Sequence, residues 1–346
     1  MRLFTIIILS AVLGSCNGHQ NKINEKSSKS DRFPSSEIKT PAETINGVVY
    51  FSVNNGLTWE NKSDGLPDSI TIALGAIAVS DKSLGIATKE KGVFLFDFQK
   101  NQWVNIPTDK NIIESIPGPL IFFKHQIYVG TQTSGIFSSA DFGEHWEKPD
   151  SGLTNFTIRR FVQIDDRLYA GTNAGLYSFN ETEMKWELEY GNRTMQVNGM
   201  TEFDGNIYIG TNQGVFTTPK GRKEWVQILE NRSLHNMSSD EHTIYAMTYN
   251  ELLASTDKGF TWENIQNGLP AELYTFNVMK NGKSVFAGQW DGVYRKDHAN
   301  ENWKSYSNGL PEKLAINNMK LYKGIIVVSG SERRLKKGMS TDRIEY

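Results

Sequence analysis

Cysteine is almost missing from these 346 residues; the only one is Cys16. A lone thiol cannot close an intramolecular disulfide, and it excludes a zinc site built on cysteines. The chain also lacks an excess of charge of either sign. Its 37 basic and 39 acidic residues leave a net −2 with no long charged block, so it has no electrostatic footprint for nucleic acid and no such partner is expected. Past residue 15 no apolar run approaches the ~20 residues of a membrane-spanning helix. Helical periodicity is sustained nowhere. The six histidines show no metal-ligand spacing, so neither a metal nor a cofactor is expected.

The first feature present is an address. Arg2 precedes a short apolar run over residues 3–13, which ends in Leu13-Gly14-Ser15-Cys16. The run is too short to cross a bilayer and suits a signal-peptide core. The ending resembles the lipobox of bacterial lipoproteins. That resemblance implies cleavage before Cys16, lipidation of its thiol and a place in a bacterial cell envelope. Acyl chains anchor firmly, because each buried methylene contributes about 0.8 kcal/mol. Residues 1–15 are then the signal peptide. Residues 16–41, rich in Ser, Lys, Asn and Glu, cannot repay the entropy of ordering and form a tether. Residues 42–346 form one folded domain. Six Asn-x-Ser/Thr sequons, from Asn61 to Asn236, carry little meaning in a bacterial chain.

Tryptophan sets the period of that domain. Trp59, Trp103, Trp146, Trp186, Trp225, Trp262 and Trp303 are separated by 44, 43, 40, 39, 37 and 41 residues. Trp290 falls outside the series. A period of about forty is that of a four-stranded propeller blade. Each period repeats a β-rich run that leads into Gly or Thr, as in Ile127-Tyr128-Val129-Gly130-Thr131, Leu168-Tyr169-Ala170-Gly171-Thr172 and Ile207-Tyr208-Ile209-Gly210-Thr211. A Gly and a second short strand follow, as in Gly135-Ile136-Phe137 and Gly214-Val215-Phe216. Two such runs around a Gly turn form a hairpin. They supply the second and third strands of each blade, and Trp opens the fourth.

The fold class is therefore all-β: a seven-bladed β-propeller of four-stranded antiparallel blades. The chain ends support a shared blade. Residues 47–52 copy a third strand with no second strand before it, and residues 325–330 copy a second strand. Pairing them closes the ring and leaves no open edge, so a monomer is expected. Residues 333–346 are left either as a competing third strand or as a basic tail.

Three hairpins carry Ser-x-Asp-x-Gly-x-Thr-Trp or a close copy. Ser255, Asp257, Gly259, Thr261 and Trp262 match in full. Ser139, Asp141, Gly143 and Trp146 match with His145 in the Thr place, and Ser52, Asn54, Gly56, Thr58 and Trp59 match with Asn54 for Asp. In four periods Gly-Leu follows the Trp by six residues, at Gly65, Gly152, Gly268 and Gly309. The hairpins resemble the Asp box, or BNR repeat. The resemblance covers about residues 45–330 and extends to sialidases, family 74 xyloglucanases, sortilin-type receptors and photosystem II assembly-factor-like proteins. The motif's logic is local: the carboxylate or amide oxygen accepts turn N–H groups, Gly takes positive φ, and Trp packs between blades. It staples a turn and performs no catalysis.

Two functions remain to be weighed. A sialidase-like or xyloglucanase-like glycoside hydrolase needs two carboxylates flanking a cleft. The Arg-Ile-Pro tripeptide that sialidases resemble one another in is missing, and no acid/base pair stands out. The alternative is a platform without catalysis that binds a protein or glycan partner, touching the membrane only through the lipid. The innermost runs align as Ile158-Arg159-Arg160-Phe161, Val197-Asn198-Gly199-Met200, Leu234-His235-Asn236-Met237 and Ile316-Asn317-Asn318-Met319. Arg159, Arg160, Asn198, His235, Asn236 and Asn317 form a polar column and are the candidate ligand-binding residues at the channel mouth. No catalytic residue is assigned.

Overall fold

The computed structural model describes residues 47–270, 275–299 and 301–334. The expected lipobox and tether and the stretch past Arg334 lie outside the described residues. β-Branched and aromatic residues fill the strands, whose second and third members are buried on both faces in most blades, and the only helix among the described residues is Lys110–Glu114. Asp109 caps it by accepting the Asn111 N–H at 2.7 Å.

The strands form seven antiparallel blades, numbered here in chain order. Blade one holds Ile77–Val79, Leu84–Thr88, Gly92–Asp97 and Gln102–Asn105, from the innermost strand outward. Blade two holds Pro117–Phe123, Gln126–Thr131 and Ile136–Ser139, and a bridge between Ser138 and Glu147 supplies its outer edge. Blade three runs Ile158–Ile164, Arg167–Thr172, Gly175–Asn180 and Lys185–Tyr190; blade four runs Val197–Phe203, Asn206–Thr211, Gly214–Pro219 and Val226–Glu230. Blade five holds Leu234–Ser239, Ile244–Thr248, Leu252–Ser255 and Glu263–Asn264, and blade six Asn277–Asn281, Ser284–Gln289, Gly292–Lys296 and Lys304–Ser305. The expected hairpins and their order are all present.

Blade seven is the shared one. Ile316–Tyr322 and Ile325–Gly330 are its inner strands, and Val49–Ser52 and Glu60–Asn61 its outer strands. Val49 faces Ser329 and Ser52 faces Ile326 in the closing register. The place of the third strand is thus filled from the front of the chain. The segment after it does not compete: Glu332–Arg334 pairs instead with Ser69–Thr71 in a separate two-stranded ribbon.

Each Trp opens or flanks an outer strand, and four of them are gripped by the preceding blade. The backbone N–H of Trp103 donates to the Asp64 carbonyl at 2.7 Å while its indole N–H donates to the Lys62 carbonyl at 2.7 Å. Trp186 repeats this on Ser151 and Pro149, Trp303 on Asn267 and Ile265, and Trp59 on Asn308 and Tyr306. In every case the two acceptors lie one and three residues before the Gly of a Gly-Leu pair. That Gly must be bare. A Cβ at Gly65, Gly152, Gly268 or Gly309 would fall 2.0 to 2.4 Å from the clamped Trp's carbonyl oxygen, and all four have φ near +90°. The clamped tryptophans are 1 to 5% exposed.

The other three follow from the same rule. Six residues after Trp103, Trp186 and Trp225 stand Asp109, Asn192 and Asn231 in place of Gly. The next tryptophans, Trp146, Trp225 and Trp262, are only half-buried. The indole N–H groups of Trp225 and Trp262 find no acceptor among the described residues, whereas Trp146 reaches the Pro107 carbonyl at 2.9 Å.

The three Ser-x-Asp hairpins have one geometry. The Ser hydroxyl donates to the Asp or Asn oxygen and accepts the Gly N–H at 2.8 Å in each, on Gly56, Gly143 and Gly259. Asp257 accepts both the N–H and the hydroxyl of Thr261, at 2.9 and 2.6 Å. Asp141 holds His145 through its N–H and ring in the same way, and Asn54 holds Thr58. The Thr261 hydroxyl and N–H hold the Asp257 carboxyl down to about 2, and the His145 N–H and ring do the same for Asp141.

Two alanine substitutions separate the clamp from ordinary backbone strain. Gly221 has φ +77° with nothing within 4 Å of a Cβ, whereas a Cβ at Gly309 would lie 2.2 Å from Trp59 oxygen. Gly221→Ala is expected to cost about 1–2 kcal/mol, the cost of a left-handed residue. Gly309→Ala is expected to cost clearly more, because it also opens the blade that closes the ring. Equal losses in denaturant titrations of the two variants would contradict the clamp.

Candidate functional site

The polar column sits on a repeated irregularity. Register shifts interrupt the innermost strands between Ile158 and Arg160, Val197 and Gly199, Leu234 and Asn236, and Ile316 and Asn318. A bulge leaves one residue unpaired and re-aims its side chain. The residues so freed are Arg159, Asn198, His235 and Asn317.

Each of them reaches the next blade. Asn198 donates to the Leu234 carbonyl at 2.6 Å, His235 to Thr275 at 2.7 Å and Asn317 to Ile72 at 2.7 Å. The following position does likewise. Asn236 donates to the Phe276 carbonyl at 2.8 Å, and Asn318 to Ala73 at 2.9 Å while it accepts the Gly75 N–H at 2.7 Å. These bonds form a girdle around the inner ends of the blades. They also satisfy amides that are less than a tenth exposed, as buried polar groups require.

Arg159, Arg160 and Asn198 come together as one cluster. Arg159 Nε donates to Asn198 Oδ1 and its Nη1 to Asn173 Oδ1 at 3.0 Å; Arg160 Nε donates to the Asn198 carbonyl at 3.2 Å. His235 and Asn236 belong to blade five and bond the entry of blade six, and Asn317 lies across the ring between blades seven and one. The six residues therefore share a ring rather than a single pocket.

Strand register identifies the channel wall. The residues opposite Tyr169 and its equivalents are Ala78, Ile121, Val162, Thr201, Ser238, Met279 and Lys320. All but Ala78 keep contact with solvent, whereas the preceding position is buried and apolar in every blade (Ile77, Leu120, Phe161, Met200, Met237, Val278, Met319). One step along the same face lie Ala76, Pro119, Arg160, Gly199, Asn236, Asn277 and Asn318. Arg160 and Lys320 are the only charges at these fourteen positions.

Their surroundings depress both cations. Enclosure pushes the Arg160 guanidinium down to about 10, with Arg159 adding repulsion. Lys320 is touched by water yet ringed by protein, and that enclosure together with Arg160 lowers its ammonium to about 8. Burial takes the His235 ring down to about 4. It is neutral near pH 7, and its bond to a carbonyl places the proton on Nε2.

The mouth at this end adds two residues that the column did not include. Tyr249, in the turn between the second and third strands of blade five, is 60% exposed and lies 5.5 Å from the His235 ring. Trp290 occupies the matching turn of blade six, edge-on to Phe276 at 5.1 Å. Trp290 falls outside the tryptophan series, the one sequence signal that sets it apart. Lys320 and Asn318 could have been read from period-two alternation along Ile316–Tyr322, but the bulge hides the phase.

Two open grooves lie away from the channel. One of about 500 Å³ lies beside Arg295, which is held by Asp297 through two bonds of 2.7 Å. The other, about 630 Å³, is lined by Glu202, Asp204, Asp240 and Glu241. Lysines 220, 258 and 280 answer those carboxylates. No group of acidic, histidine or cysteine residues suited to a metal ion occurs among the described residues.

No family model matches the chain, and no curated protein matches it in sequence. Solved structures do. YCF48 bound to a D1 peptide superposes with a TM-score of 0.59 at 11% identity, over 78% of this chain and 98% of that one. The extracellular domain of the putative one-component system BT4673 from B. thetaiotaomicron gives 0.64 at 16% identity, over 80% of this chain and 39% of its own length. A family GH74 xyloglucanase from Xanthomonas campestris gives 0.59 at 14%, over 80% of this chain and 53% of that one. At these identities the likeness carries the fold alone. The chain is a seven-bladed β-propeller.

The girdle has a pH signature. His235 titrates near its ordinary 6.5 when unfolded and near 4 when folded, so the unfolded chain binds more protons between these values. Stability is then expected to fall as pH drops from about 6.5 to 4. Asp141 and Asp257, held near 2 from an ordinary 3.8, add their loss in the separate window below about 4. In His235→Asn, melting temperature followed against pH should lose the upper step and keep the lower one. An unchanged upper step would contradict the assignment.

Proposed function

We propose that the chain is a binding or assembly platform in the cell envelope, anchored by a lipid on Cys16, whose channel mouth receives a protein or glycan partner without catalysis. The observation that carries this reading is the composition of the channel. Its fourteen wall positions hold two cations and no carboxylate, whereas glycoside hydrolysis needs a carboxylate pair across the substrate. The mouth offers what a binding surface needs. Arg159 keeps its third nitrogen free of bonds to the described residues, Tyr249 presents an exposed ring at the same mouth, and Trp290 stands in the matching turn of blade six. Aromatic and arginine side chains are the groups that most often anchor a partner. The propeller likeness to YCF48 bound to a D1 peptide and to the extracellular domain of a one-component system is compatible with such a role, and the three hairpins that resemble the Asp box serve the turns.

The platform reading is checked in intact cells. A photo-crosslinking residue in place of Tyr249 should give a discrete adduct that is lost when Arg159→Ala is added, while one in place of Val226 on the outer rim should not. Turnover of a sialoside or xyloglucan that disappears on substitution of a carboxylate would overturn the reading. The anchor is tested separately. Cys16→Ser should abolish palmitate labelling and move the protein from the membrane fraction to the soluble one; continued labelling of the variant would exclude Cys16 as the anchor site.

A further inference from the structure

We propose that the central channel contains a binding site for a small oxyanion, of carboxylate or phosphate chemistry, held between Arg160 and Lys320. The inference deepens the platform reading and rests on it only for the direction from which the anion enters.

Three observations converge on the same place. First, Arg160 is committed on one side only. Its Nε bonds the Asn198 carbonyl at 3.2 Å, while its buried Nη2 has no acceptor among the described residues. A guanidinium is a fork whose two nitrogens match the two oxygens of a carboxylate or phosphate. A buried donor left unmade is costly, so the native state gains from an acceptor delivered to it.

Second, the space around this group is built for it. Arg160 extends from blade three toward Gly75 at the entry of blade one, and a Cβ at Gly75 would come within 2.8 Å of Nη1. The Gly75 N–H is itself fixed by Asn318 Oδ1. The guanidinium therefore occupies a gap that a side chain at residue 75 would close.

Third, the charge is uncompensated. Lys320 stands two residues along the same strand face from Asn318, whose Oδ1 holds the Gly75 N–H beside Arg160 Nη1, and no ion pair or hydrogen bond joins it to a described residue. None of the other wall positions is acidic. Two uncompensated like charges side by side attract an anion, and binding one relieves the repulsion between them. His235, neutral at the same end, neither adds to this charge nor opposes it.

The experiment is a thermal titration of the full chain in detergent with inorganic phosphate, acetate and phenyl phosphate, ionic strength being held constant with sodium chloride. Wild type is expected to show a saturable rise in melting temperature, of about 5 °C at a hundredfold excess over Kd. Phosphate acting alone identifies a free ion, and phenyl phosphate acting as well identifies the anionic end of a larger ligand; either supports the site. Lys320→Met should abolish most of the rise. It removes no hydrogen bond to a described residue, so it remains informative if Arg160→Gln fails to fold. An absent rise in wild type, or an equal rise in Lys320→Met, would overturn the site. Arg159→Ala with Tyr249→Ala, which disables the mouth, should leave the phosphate response intact, so the two proposals fail separately.

Discussion

The rest of this molecule depends on hydrogen bonds that run from one blade to the next. A blade alone is a twisted four-stranded sheet with both faces apolar, and its hydrophobic burial is non-directional. Packing apolar faces together does not set their angle or register. The bonds that cross between blades do. At the outer edge of four blades a Trp gives two N–H groups to two carbonyls of the neighbouring turn. At the inner edge an amide, imidazole or guanidinium on a bulge gives one to the entry of the next strand. A seven-membered ring closes only when its inter-blade angles sum correctly, and the two rows of bonds fix those angles from both rims. The last clamp, Trp59 on Asn308 and Tyr306, links residues nearly 250 apart, so it joins the ends of the chain as firmly as any two consecutive blades.

The same requirement explains why the polar column is a poor guide to a ligand by itself. Asn198, His235, Asn236 and Asn317 are polar because each buried carbonyl at the entry of the next blade needs a donor. Those four residues have their donors engaged there. Function has to come from donors that the girdle leaves over. They are the third nitrogen of Arg159 at the rim, Nη2 of Arg160 on the wall and the Lys320 ammonium beyond it, and the exposed ring of Tyr249 stands next to the first.

Much of this was legible in the sequence. The spacing of seven tryptophans gave the blade number, because a blade has a nearly fixed length. The orphan strands at residues 47–52 and 325–330 gave the closure, because an unpaired edge is costly. Even the clamp was present as Gly-Leu six residues after Trp, although its partner is the Trp of the next blade rather than its own. What the sequence could not supply was the phase of the inner strands. A bulge adds one residue without leaving a mark in composition, so the alternation that places Lys320 beside Arg160 is interrupted before it can be counted. The end of the chain was ambiguous for a similar reason. Residues 332–334 have strand character, but whether they pair with blade seven or with Ser69–Thr71 depends on which place is already taken.

The contrast between blades bears on why a cation stands at residue 160. In blades five, six and seven the corresponding position is Asn, whose short neutral amide bonds the next blade and ends there. In blades one, two and four it is Ala, Pro or Gly, with no side chain to extend. Only blade three carries a long charged group, and its neutral head is unavailable at physiological pH because even a strongly enclosed guanidinium stays protonated. An Asn there would bond the Asn198 carbonyl as well as Arg160 does, without the desolvation that enclosure imposes. The girdle therefore does not require arginine at this position. What arginine adds over asparagine is reach across the channel to Gly75 and a second pair of donors, and both are properties that matter for holding something in the channel rather than for holding the ring together.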